Sequence, residues 1–254
     1  MLFMLSPTKN MKLEDHTYML TLPTYLEDTK QIVNVLKTYT ASDIAKLMKV
    51  NEKIASLTAE RFQSFQYHID GYPAIFTYDG LQFKSMHTEM FHEEDLAYAQ
   101  KHVRILSGLY GIVKPMDSIY PYRLEMLTKL AVDEVEDLYA FWGQKLIEGL
   151  RDELCTHEHP YIIDLASKEY SKCVTPYLRR EDTYICITFK IRKEGKLKTI
   201  STQAKMARGK MIHYIVKNKI DTLAGIRAFR EDGYEYIEEL SSISEYVFVK
   251  ENEN

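Results

Sequence analysis

Short apolar runs recur along the chain, and longer segments with a helical spacing of apolar residues separate them. The runs are rich in β-branched and aromatic residues, which suit the pleated, half-buried surface of a sheet. They predict seven strands, at 2–5, 74–78, 103–106, 161–166, 184–190, 197–202 and 246–250. A Glu-Gly-Lys turn at 194–196 joins the fifth and sixth of these strands and predicts a β-hairpin.

Apolar residues spaced three and four positions apart predict helices in the remaining segments. The clearest helical patterns lie at 24–38, 41–49, 51–65, 93–102, 137–155 and 203–219. No Gly-, Ser- or Pro-rich linker, internal repeat or low-complexity tract divides the 254 residues. The pattern therefore predicts an α+β (mixed α/β) fold, with a single compact domain over residues 1–254 and a central mixed sheet flanked by helices.

Small hydroxyl residues follow several predicted strands, and each has a cation downstream. The sets are Ser6 with Lys9, Ser107 with Arg123, Ser167 with Lys168 and Lys172, and Ser201 and Thr202 with Lys205 and Arg208. Where strands run parallel, their carboxyl ends share one edge of the sheet, and hydroxyls and free helix N–H groups there favour anions. The alternative is that these Ser and Thr residues serve only as helix N-caps.

The segment 107–126, SGLYGIVKPMDSIYPYRLEM, is unusually dense in conformationally special residues. Gly108 and Gly111 permit a sharp turn with positive φ, and the two prolines favour a rigid extended loop over 112–121. Arg123 and Glu125 alternate with apolar residues, so both face one side of an extended chain. Arg supplies a planar fork for phosphate or carboxylate. The alternative is an internal pair between Arg123 and either Glu125 or Asp117.

The segment 40–62 predicts two helices joined at about 49–51, with Asn51 as the cap of the second. Such a helix pair can offer backbone N–H groups and the side chains of Lys46, Lys49 and Lys53 to a phosphate. The alternative is a helical hairpin that only packs its apolar residues against the body of the protein.

The net charge of −4 is unevenly distributed. Ten cations lie between Lys190 and Lys219, and Glu194 is the one acid among them. Such a cluster makes a basic surface possible on an acidic protein, and a polyanion is its natural partner. Surface lysines on a solvated hairpin are the alternative.

Composition narrows the class of protein. The 45% hydrophobic and 28% charged content is that of a globular chain, and no run is long enough to predict a membrane span. The first residues lack the basic leader of a signal peptide. The three cysteines have no metal-ligand spacing, which is typical of a reduced, cytoplasmic protein.

The sequence contains no strong motif for a metal site, a nucleotide-binding loop or a catalytic nucleophile. His87, Glu89 and His92 do not form an HExxH pattern, because the histidines are five positions apart and diverge on a helix. No P-loop, GxGxxG motif or recognisable nucleophile triad occurs. The sequence thus predicts no metal site and no cofactor.

Several segments together resemble the YaaA peroxide-stress proteins of bacteria, over nearly the whole chain. They are SPTKN (6–10), LPTYLEDT (22–29), the 40–62 pair, SGLYGIVKPMDSIYPYRLEM (107–126), LYAFWG (138–143), DLASKEYSK (164–172), AKMARGKM (204–211) and EDGYEY (231–236). The resemblance implies a compact α+β fold with a positively charged cleft, DNA binding with a helix-hairpin-helix-like element, and protection against peroxide by limiting unincorporated iron. That element corresponds to 40–62 here, although Val50-Asn51-Glu52 replaces the glycines usual in such hairpins.

The resulting hypothesis is a cytoplasmic DNA-binding protein of the peroxide-stress response, with no membrane partner. The residues expected to bind nucleic acid or another anion are Ser6, Lys9, Ser107, Tyr110, Arg123, Ser167, Lys172, Lys205, Arg208 and Lys210, and Tyr122 and Tyr170 are further candidates for stacking on bases. The alternative is an enzyme that acts on a nucleotide or another phosphorylated small molecule, with Glu125 or Asp117 as the acid or base. The sequence does not predict an oligomeric state.

Overall fold

A computed structural model describes residues 1–251, so the last three residues of the predicted 1–254 domain lie outside the described residues. Strands and helices are interspersed along this part of the chain. The strands are β1 Leu2–Leu5, β2 Asn10–Met11, β3 Tyr72–Pro73, β4 Tyr78–Asp79, β5 Val103–Ser107, β6 Gly111–Val113, β7 Ser118–Ile119, β8 Tyr161–Asp164, β9 Thr183–Lys193, β10 Lys196–Lys198, β11 Tyr234–Tyr236 and β12 Glu245–Glu251.

The α-helices vary from one to five turns. They are α1 Leu26–Lys37, α2 Ala41–Met48, α3 Glu52–Gln63, α4 Ala74–Thr77, α5 Leu81–Lys84, α6 Glu93–His102, α7 Leu138–Trp142, α8 Lys145–Leu154, α9 Lys168–Ser171, α10 Ser201–Asn218 and α11 Leu223–Arg227. Short 3₁₀ turns lie at Thr88–Met90, Thr175–Tyr177, Glu231–Gly233 and Glu238–Leu240.

The central sheet is mixed, as the sequence predicts. Its order is β11-β12-β9-β8-β1-β5-β6, with β10 also paired to β9. The five strands from β12 to β5 run parallel, whereas β6, β10 and β11 are antiparallel to their neighbours. The carboxyl ends of β1, β5 and β8 therefore lie side by side at one edge, which is the condition for a shared crevice.

Helices cover this sheet with regular apolar stripes. Helix α1 buries Thr29, Ile32, Val33 and Leu36, and α8 buries Leu146, Ile147, Leu150 and Leu154. Helix α6 packs near β1, and α10 packs on β9 and on the short helix α5. The described chain is one compact mixed α/β domain with a central sheet flanked by helices.

Three predicted elements differ from the structure. The run 74–78 forms the helical turn α4, because the N–H groups of Ala74 and Ile75 donate to carbonyls of the 115–117 loop and Thr77 Oγ1 donates to Pro73 O. The predicted helix 137–155 is broken at Gly143, whose φ is +44°. The predicted strand 197–202 ends at Lys198, and Ser201 already begins α10.

Several short strands carry no recognisable pattern in the sequence, among them β6. β6 folds back on β5 because Gly111, at φ +69°, makes a turn that places it under Trp142 and Leu146. Gly108, for which positive φ was also predicted, does not adopt it. It is required instead for close packing, since a Cβ atom there would lie 2.8 Å from Leu124 O.

Candidate anion-binding cleft

A cleft of about 290 Å³ opens at the edge where β1 and β8 end. Its walls are built from five segments of the chain: the turn after β1, the 79–82 turn, the extended segment 122–125, the start of α9 and the first half of α10. The lining includes Ser6, Pro7, Lys9, Asn10, Asp79, Leu81, Gln82, Tyr122, Arg123, Glu125, Ser167, Glu169, Tyr170, Lys205 and Arg208.

The floor of the cleft is a pair of serines that joins the ends of β1 and β8. Ser6 Oγ accepts a hydrogen bond from Ser167 N at 2.8 Å and donates to Ser167 Oγ at 3.2 Å. Two residues earlier in each strand the backbone ladder is still intact, since Leu165 N donates to Met4 O. The two hydroxyls therefore hold the strand ends in register and also face the cleft.

One wall carries a three-residue ion network. Lys9 Nζ lies 2.7 Å from Glu125 Oε2, and Arg123 Nη2 lies 3.6 Å from Glu125 Oε1. Arg123 and Glu125 do face one side, as their alternation predicts, and the internal Arg123–Glu125 pair is present as well. Glu125 thus holds two cations next to each other, where an incoming anion would meet both.

Three residues of the lining carry buried N–H donors that have no partner among residues 1–251. These donors are Gln82 Nε2, Arg123 Nε and Arg208 Nε. Gln82 is only 4% exposed. A buried donor without an acceptor costs ~1–3 kcal/mol, so such groups are uncommon unless a ligand or water completes them. Their convergence on one cleft is the strongest sign that the cleft receives acceptor atoms.

Behind Arg208 lies a buried carboxylate that sequence analysis missed. Asp164 ends β8 and accepts hydrogen bonds from Ser171 Oγ, Tyr184 OH and Ala166 N. Burial raises the pKa of Asp164, and its hydrogen bonds and the nearby Arg208 charge oppose that rise. Burial likewise lowers the pKa of Arg208. Asp164 therefore helps to keep a guanidinium charged where solvent does little to stabilise it.

Asp79 and Glu169, the other carboxylates of the cleft, differ in which groups offset their negative charge. Asp79 Oδ1 lies 3.1 Å from Lys84 Nζ, outside the lining. Glu169 accepts from Leu127 N at 3.3 Å, and burial, with a smaller effect of the Glu125 charge, raises its pKa. Lys205 and Arg208 have no carboxylate within 4 Å among the described residues. Neither cation on the α10 side of the cleft therefore forms a direct ion pair within residues 1–251, although the charge of Asp164 acts on Arg208 from farther away.

Glycines allow the walls to approach this closely. A Cβ atom on Gly209 would overlap the carbonyl oxygen of Gln82, so α10 sits directly against the α5 turn. A Cβ atom on Gly80 would lie 2.7 Å from Thr8 Cγ2. The Arg-Gly pair at 208–209 therefore places a guanidinium and the Gln82 amide beside the same cavity.

Seven of the residues predicted to form the site do line this cleft. They are Ser6, Lys9, Arg123, Glu125, Ser167, Lys205 and Arg208. Tyr122 and Tyr170 also line it, although both are largely buried and offer little ring surface for stacking.

Two predicted anion ligands near the strand end β5 are structural in this fold and do not line the cleft. Ser107 is fully buried; its Oγ bonds to Tyr122 OH and accepts from the N–H groups of Leu109 and Tyr110. The Tyr110 ring is buried too, and its hydroxyl accepts from Tyr120 N. Both residues close the SGLYG turn from inside because the chain folds back there as β6.

Two predicted cations also lie elsewhere. Lys172 Nζ lies 4.5 Å from the centre of the Tyr139 ring, and Lys210 Nζ lies 3.1 Å from Asp232 Oδ2. Neither lines the cleft. For Lys210 the reason is helical geometry. It is two positions from Arg208 and so projects from a different face of α10.

Asp117, the second candidate acid or base, is likewise outside the cleft. It is buried in the loop after β6, where Oδ1 accepts from Thr21 Oγ1 at 2.6 Å and Oδ2 accepts from Lys114 N at 2.7 Å. Burial raises its pKa to about 6, against these hydrogen bonds. Its geometry is that of a residue that holds a loop together.

Tertiary structure also neutralises part of the basic stretch 190–219. Arg192 pairs with Glu251, Lys210 with Asp232, and both Lys217 and Lys219 with Asp95. The opposing acids lie far away in sequence, so a local count overstates the free charge. Lys205 and Arg208 are among the cations that stay unpaired within residues 1–251.

The helix pair 40–62 forms as predicted but apart from the cleft. Thr40 caps α2 in a reciprocal arrangement with Asp43, Lys49 adopts φ +51° between the helices, and Asn51 Oδ1 accepts from Ile54 N to cap α3. Ile44 is buried and α3 packs against α1, as the packing alternative requires. No residue of the pair lines the cleft.

The described residues contain neither a metal-binding cluster nor a membrane-spanning helix. No group of three His, Cys, Asp or Glu side chains there is placed to hold a metal ion. None of the helices within residues 1–251 has both the length and the apolar character needed to cross a membrane.

Comparison with known proteins identifies the family. A family model described as "Peroxide stress protein YaaA" matches residues 1–240. The chain belongs to the YaaA peroxide stress protein family. Similar relatives carry the name UPF0246 protein: one from Clostridioides difficile is 48% identical over 99% of this chain and 100% of its own length. Relatives from Pediococcus pentosaceus and Aliivibrio fischeri are 37% and 38% identical and are matched over at least 98% of both chains. The family name supports a stress-related role for this YaaA-family chain.

Proposed function

We propose that this YaaA-family protein is a cytoplasmic DNA-binding protein of the peroxide-stress response, and that its cleft holds backbone phosphate. The observation that supports this best is the convergence of three buried donors, on Gln82, Arg123 and Arg208, in a cleft that also contains Lys205; within residues 1–251 these donors have no hydrogen-bond partner, and neither Lys205 nor Arg208 forms an ion pair. Guanidinium groups suit phosphate because their planar fork donates two parallel hydrogen bonds.

Electrostatics favour an anion that approaches from the α10 side. Lys205 and Arg208 stand one helical turn apart and lack carboxylate partners among residues 1–251, whereas Lys9 and Arg123 share Glu125. A phosphate placed between these walls would satisfy donors from both. The protein as a whole carries a net charge of −4, so attraction to DNA must be local to this edge.

The helix pair α2–α3 is the second proposed DNA contact. Lys46, Lys49 and Lys53 lie on or between its helices, but Asp43 and Glu52 stand in the first turns and repel phosphate there. We therefore assign the main phosphate contact to the cleft and a supporting role to the hairpin. We propose that this DNA binding serves a role in peroxide stress that limits iron-driven damage.

Fluorescence anisotropy with a labelled 20-bp duplex, over a range of salt concentrations, tests the proposal. Wild-type affinity should fall steeply with salt, because each neutralised phosphate adds about −0.9 to the slope of log K against log salt. The double variant Arg208→Ala and Lys205→Ala should bind at least tenfold more weakly, with a slope shallower by about one to two.

The matched control is the double variant Lys101→Ala and Arg180→Ala, which removes the same charge from exposed positions outside the cleft. It should bind like the wild type. Salt-independent binding, or a cleft variant that binds as tightly as this control, would show that the cleft does not hold phosphate.

The limited size of the cleft favours a second candidate, an enzyme that acts on a nucleotide or another phosphorylated small molecule. Glu125 and Glu169 both line the cavity, and burial raises the pKa of Glu169 towards the range of a general acid. Phosphate release from a panel of nucleotides, abolished by Glu169→Gln but not by Glu158→Gln at the surface, would establish this candidate instead.

A further inference from the structure

Three tyrosines connect the cleft, through the interior, to the surface of the protein. Tyr122 lines the cleft, and its ring centre lies 5.5 Å from that of the buried Tyr110. The Tyr110 hydroxyl accepts a hydrogen bond from Tyr120 N at 2.9 Å. The ring of Phe65 packs against both, with its centre 6.2 Å from that of Tyr110 and 5.9 Å from that of Tyr120. Aromatic rings therefore follow one another from the cleft to Tyr120.

The phenols in the interior have no carboxylate to receive a proton. Ser107 Oγ accepts from the N–H groups of Leu109 and Tyr110, so its own proton points to Tyr122 OH, 2.7 Å away. Tyr122 OH in turn lies 2.8 Å from Tyr78 OH, and both side chains are buried. Burial raises the pKa of Tyr122 to about 12. Loss of an electron makes a phenol strongly acidic, so a radical on these residues is costly where the proton cannot leave.

Tyr120, at the other end of the chain of rings, has such an acceptor. It is half-buried, and its hydroxyl donates to Oδ1 of the exposed Asp70 at 2.7 Å. This hydrogen bond lowers the pKa of Asp70, which is therefore ionised at neutral pH. A phenol that donates to a carboxylate is easier to oxidise than one that does not, because its proton moves as the electron leaves. A radical formed in this chain should therefore come to rest on Tyr120.

We propose that Tyr122, Tyr110 and Tyr120 form an electron relay, which carries an electron from the surface to a one-electron oxidant at the cleft. The oxidant is an oxygen-centred radical such as the hydroxyl radical, which is reduced to its anion. Tyr120 loses the electron, its hydroxyl proton moves to the Asp70 carboxylate, and a phenoxyl radical remains. A thiol in solution then gives a hydrogen atom to the Tyr120 oxygen and becomes a thiyl radical, while Asp70 releases its proton to water.

This relay is distinct from a purely structural role of the same residues. The Ser107–Tyr122–Tyr78 hydroxyls hold the SGLYG turn, and packing alone accounts for the buried rings. A structural role predicts no radical on Tyr120 and no dependence of any rate on Asp70. The relay predicts both, and it suits a family named for peroxide stress because peroxide is a source of such radicals.

A ruthenium tris-bipyridine photosensitiser attached beside the cleft tests the relay. The label is placed by Asn10→Cys, at an exposed position of the lining, in a protein that also carries Cys155→Ser to remove the exposed native thiol. A light flash with a cobalt(III) electron acceptor in solution produces Ru(III), a one-electron oxidant. Transient absorbance measures the recovery of Ru(II) and the phenoxyl radical. A nitroso spin trap with mass spectrometry should then locate the radical on Tyr120.

Tyr110→Phe in the labelled protein keeps the ring but is much harder to oxidise. It should lower the yield of the Tyr120 radical about tenfold, or ~1.4 kcal/mol in barrier height. The control Tyr39→Phe, a half-buried tyrosine outside the chain of rings, should leave the yield unchanged. Asp70→Asn keeps the shape of the side chain and removes the base. Electron transfer should be slower in D₂O than in H₂O in the labelled protein, and Asp70→Asn should abolish that difference.

A second label position controls for oxidation through solution. The photosensitiser on the native Cys155, in the loop that leads into the amino end of β8, lies away from the cleft at the carboxyl end of that strand. It should give little Tyr120 radical. Equal yields from the two labels would show that Tyr120 is oxidised directly and would overturn the relay.

The remaining outcomes are also decisive. The relay is wrong if no phenoxyl radical forms, if the trap marks Trp142 or Tyr170 instead of Tyr120, or if Tyr110→Phe keeps the full yield. If Tyr110→Phe does not fold, Tyr120→Phe at the half-buried end replaces it, and the radical should then stay on Tyr110 or Tyr122. None of these measurements involves DNA, so their failure leaves the proposed DNA-binding function untouched.

Discussion

Gly209 on α10 packs directly against the backbone carbonyl of Gln82, with no room for a side chain between them. This contact sets the distance between the helix that carries Arg208 and the turn that carries Gln82. It therefore fixes the width of the cleft. Gly209 carries no functional group, yet it is as important to the geometry of the cleft as the residues that do.

Gly209→Ala should destabilise the protein by about 1–3 kcal/mol, because the new methyl group overlaps a backbone atom that cannot rotate away. It should also weaken DNA binding by widening the cleft. In an exposed helix the same change stabilises by ~1 kcal/mol, so any loss reports tertiary packing. Urea unfolding and anisotropy measure the two effects.

Gly149→Ala in α8 is the matched control for that prediction. A Cβ atom there meets only the hydroxyl end of the Tyr25 side chain, which can move. Its cost should be clearly smaller and DNA binding should be unchanged. Equal effects of the two substitutions would contradict the packing argument.

Gln82→Leu should leave the unliganded protein at least as stable as the wild type, and up to about 1–3 kcal/mol more stable. The reason is that Leu removes a buried donor that has no partner within residues 1–251. A change that stabilises the unliganded protein and weakens DNA binding is the signature of a binding residue. Thermal unfolding measures it, and a large loss of stability would mean that the Gln82 amide is satisfied within the folded protein.

Glu125→Gln should strengthen DNA binding by about three- to tenfold, since it releases Lys9 and Arg123 from the carboxylate they share. Glu158→Gln makes the same change in net charge at an exposed site and is the control. Anisotropy at one salt concentration measures both variants. Weaker DNA binding by Glu125→Gln would show that Glu125 orients the cations rather than competing for them.

The buried Asp117 should make stability depend on pH. Its pKa is raised from 3.8 to about 6 by burial, so the native state holds a proton more strongly than the unfolded chain. Between these two values the native state binds more protons, and stability therefore falls as pH rises. The full effect is ~2–3 kcal/mol, at 1.36 kcal/mol for each pKa unit.

Asp117→Asn should remove this dependence, because the amide cannot ionise. Chemical unfolding at pH 4.5 and 7.5 measures the difference between the variant and the wild type. Asp95, whose pKa lies well below its usual range because Lys217 and Lys219 donate to it, contributes only below about pH 4 and does not interfere. A pH-independent difference would show that Asp117 is ionised throughout this range.

The predicted site residues that line the cleft share a simple origin. Ser6 and Ser167 follow apolar strands that are easy to recognise, and parallel pairing brings such strand ends together. Arg208 lies on the long helix α10, within the helical segment 203–219 that the sequence predicts. The resemblance to the YaaA family supports each of these assignments, but it does not say how far apart the residues lie in the fold.

The differences between the predicted and the observed site also have a physical explanation. Ser107 also follows an apolar strand, but the chain returns at once as β6 and turns the hydroxyl inwards. Lys217 and Lys219 belong to a basic stretch, yet both pair with Asp95 from another helix. Nothing in the sequence around Gln82 marks it as a site residue. A glutamine becomes a candidate ligand only where the fold leaves its buried amide without a hydrogen-bond partner.

The sequence by itself determined the five parallel strands of the central sheet, most of the long helices, the mixed fold class and the hydroxyl and cationic residues available at strand ends, since these depend on local periodicity and residue chemistry. Tertiary structure alone decided which of these residues meet. Contacts such as Gly209 with Gln82, Lys9 with Glu125 and Lys210 with Asp232 join positions whose separation in sequence carries no information about distance. Charge compensation and unsatisfied donors are properties of such contacts, and so the cleft emerges only from the folded chain.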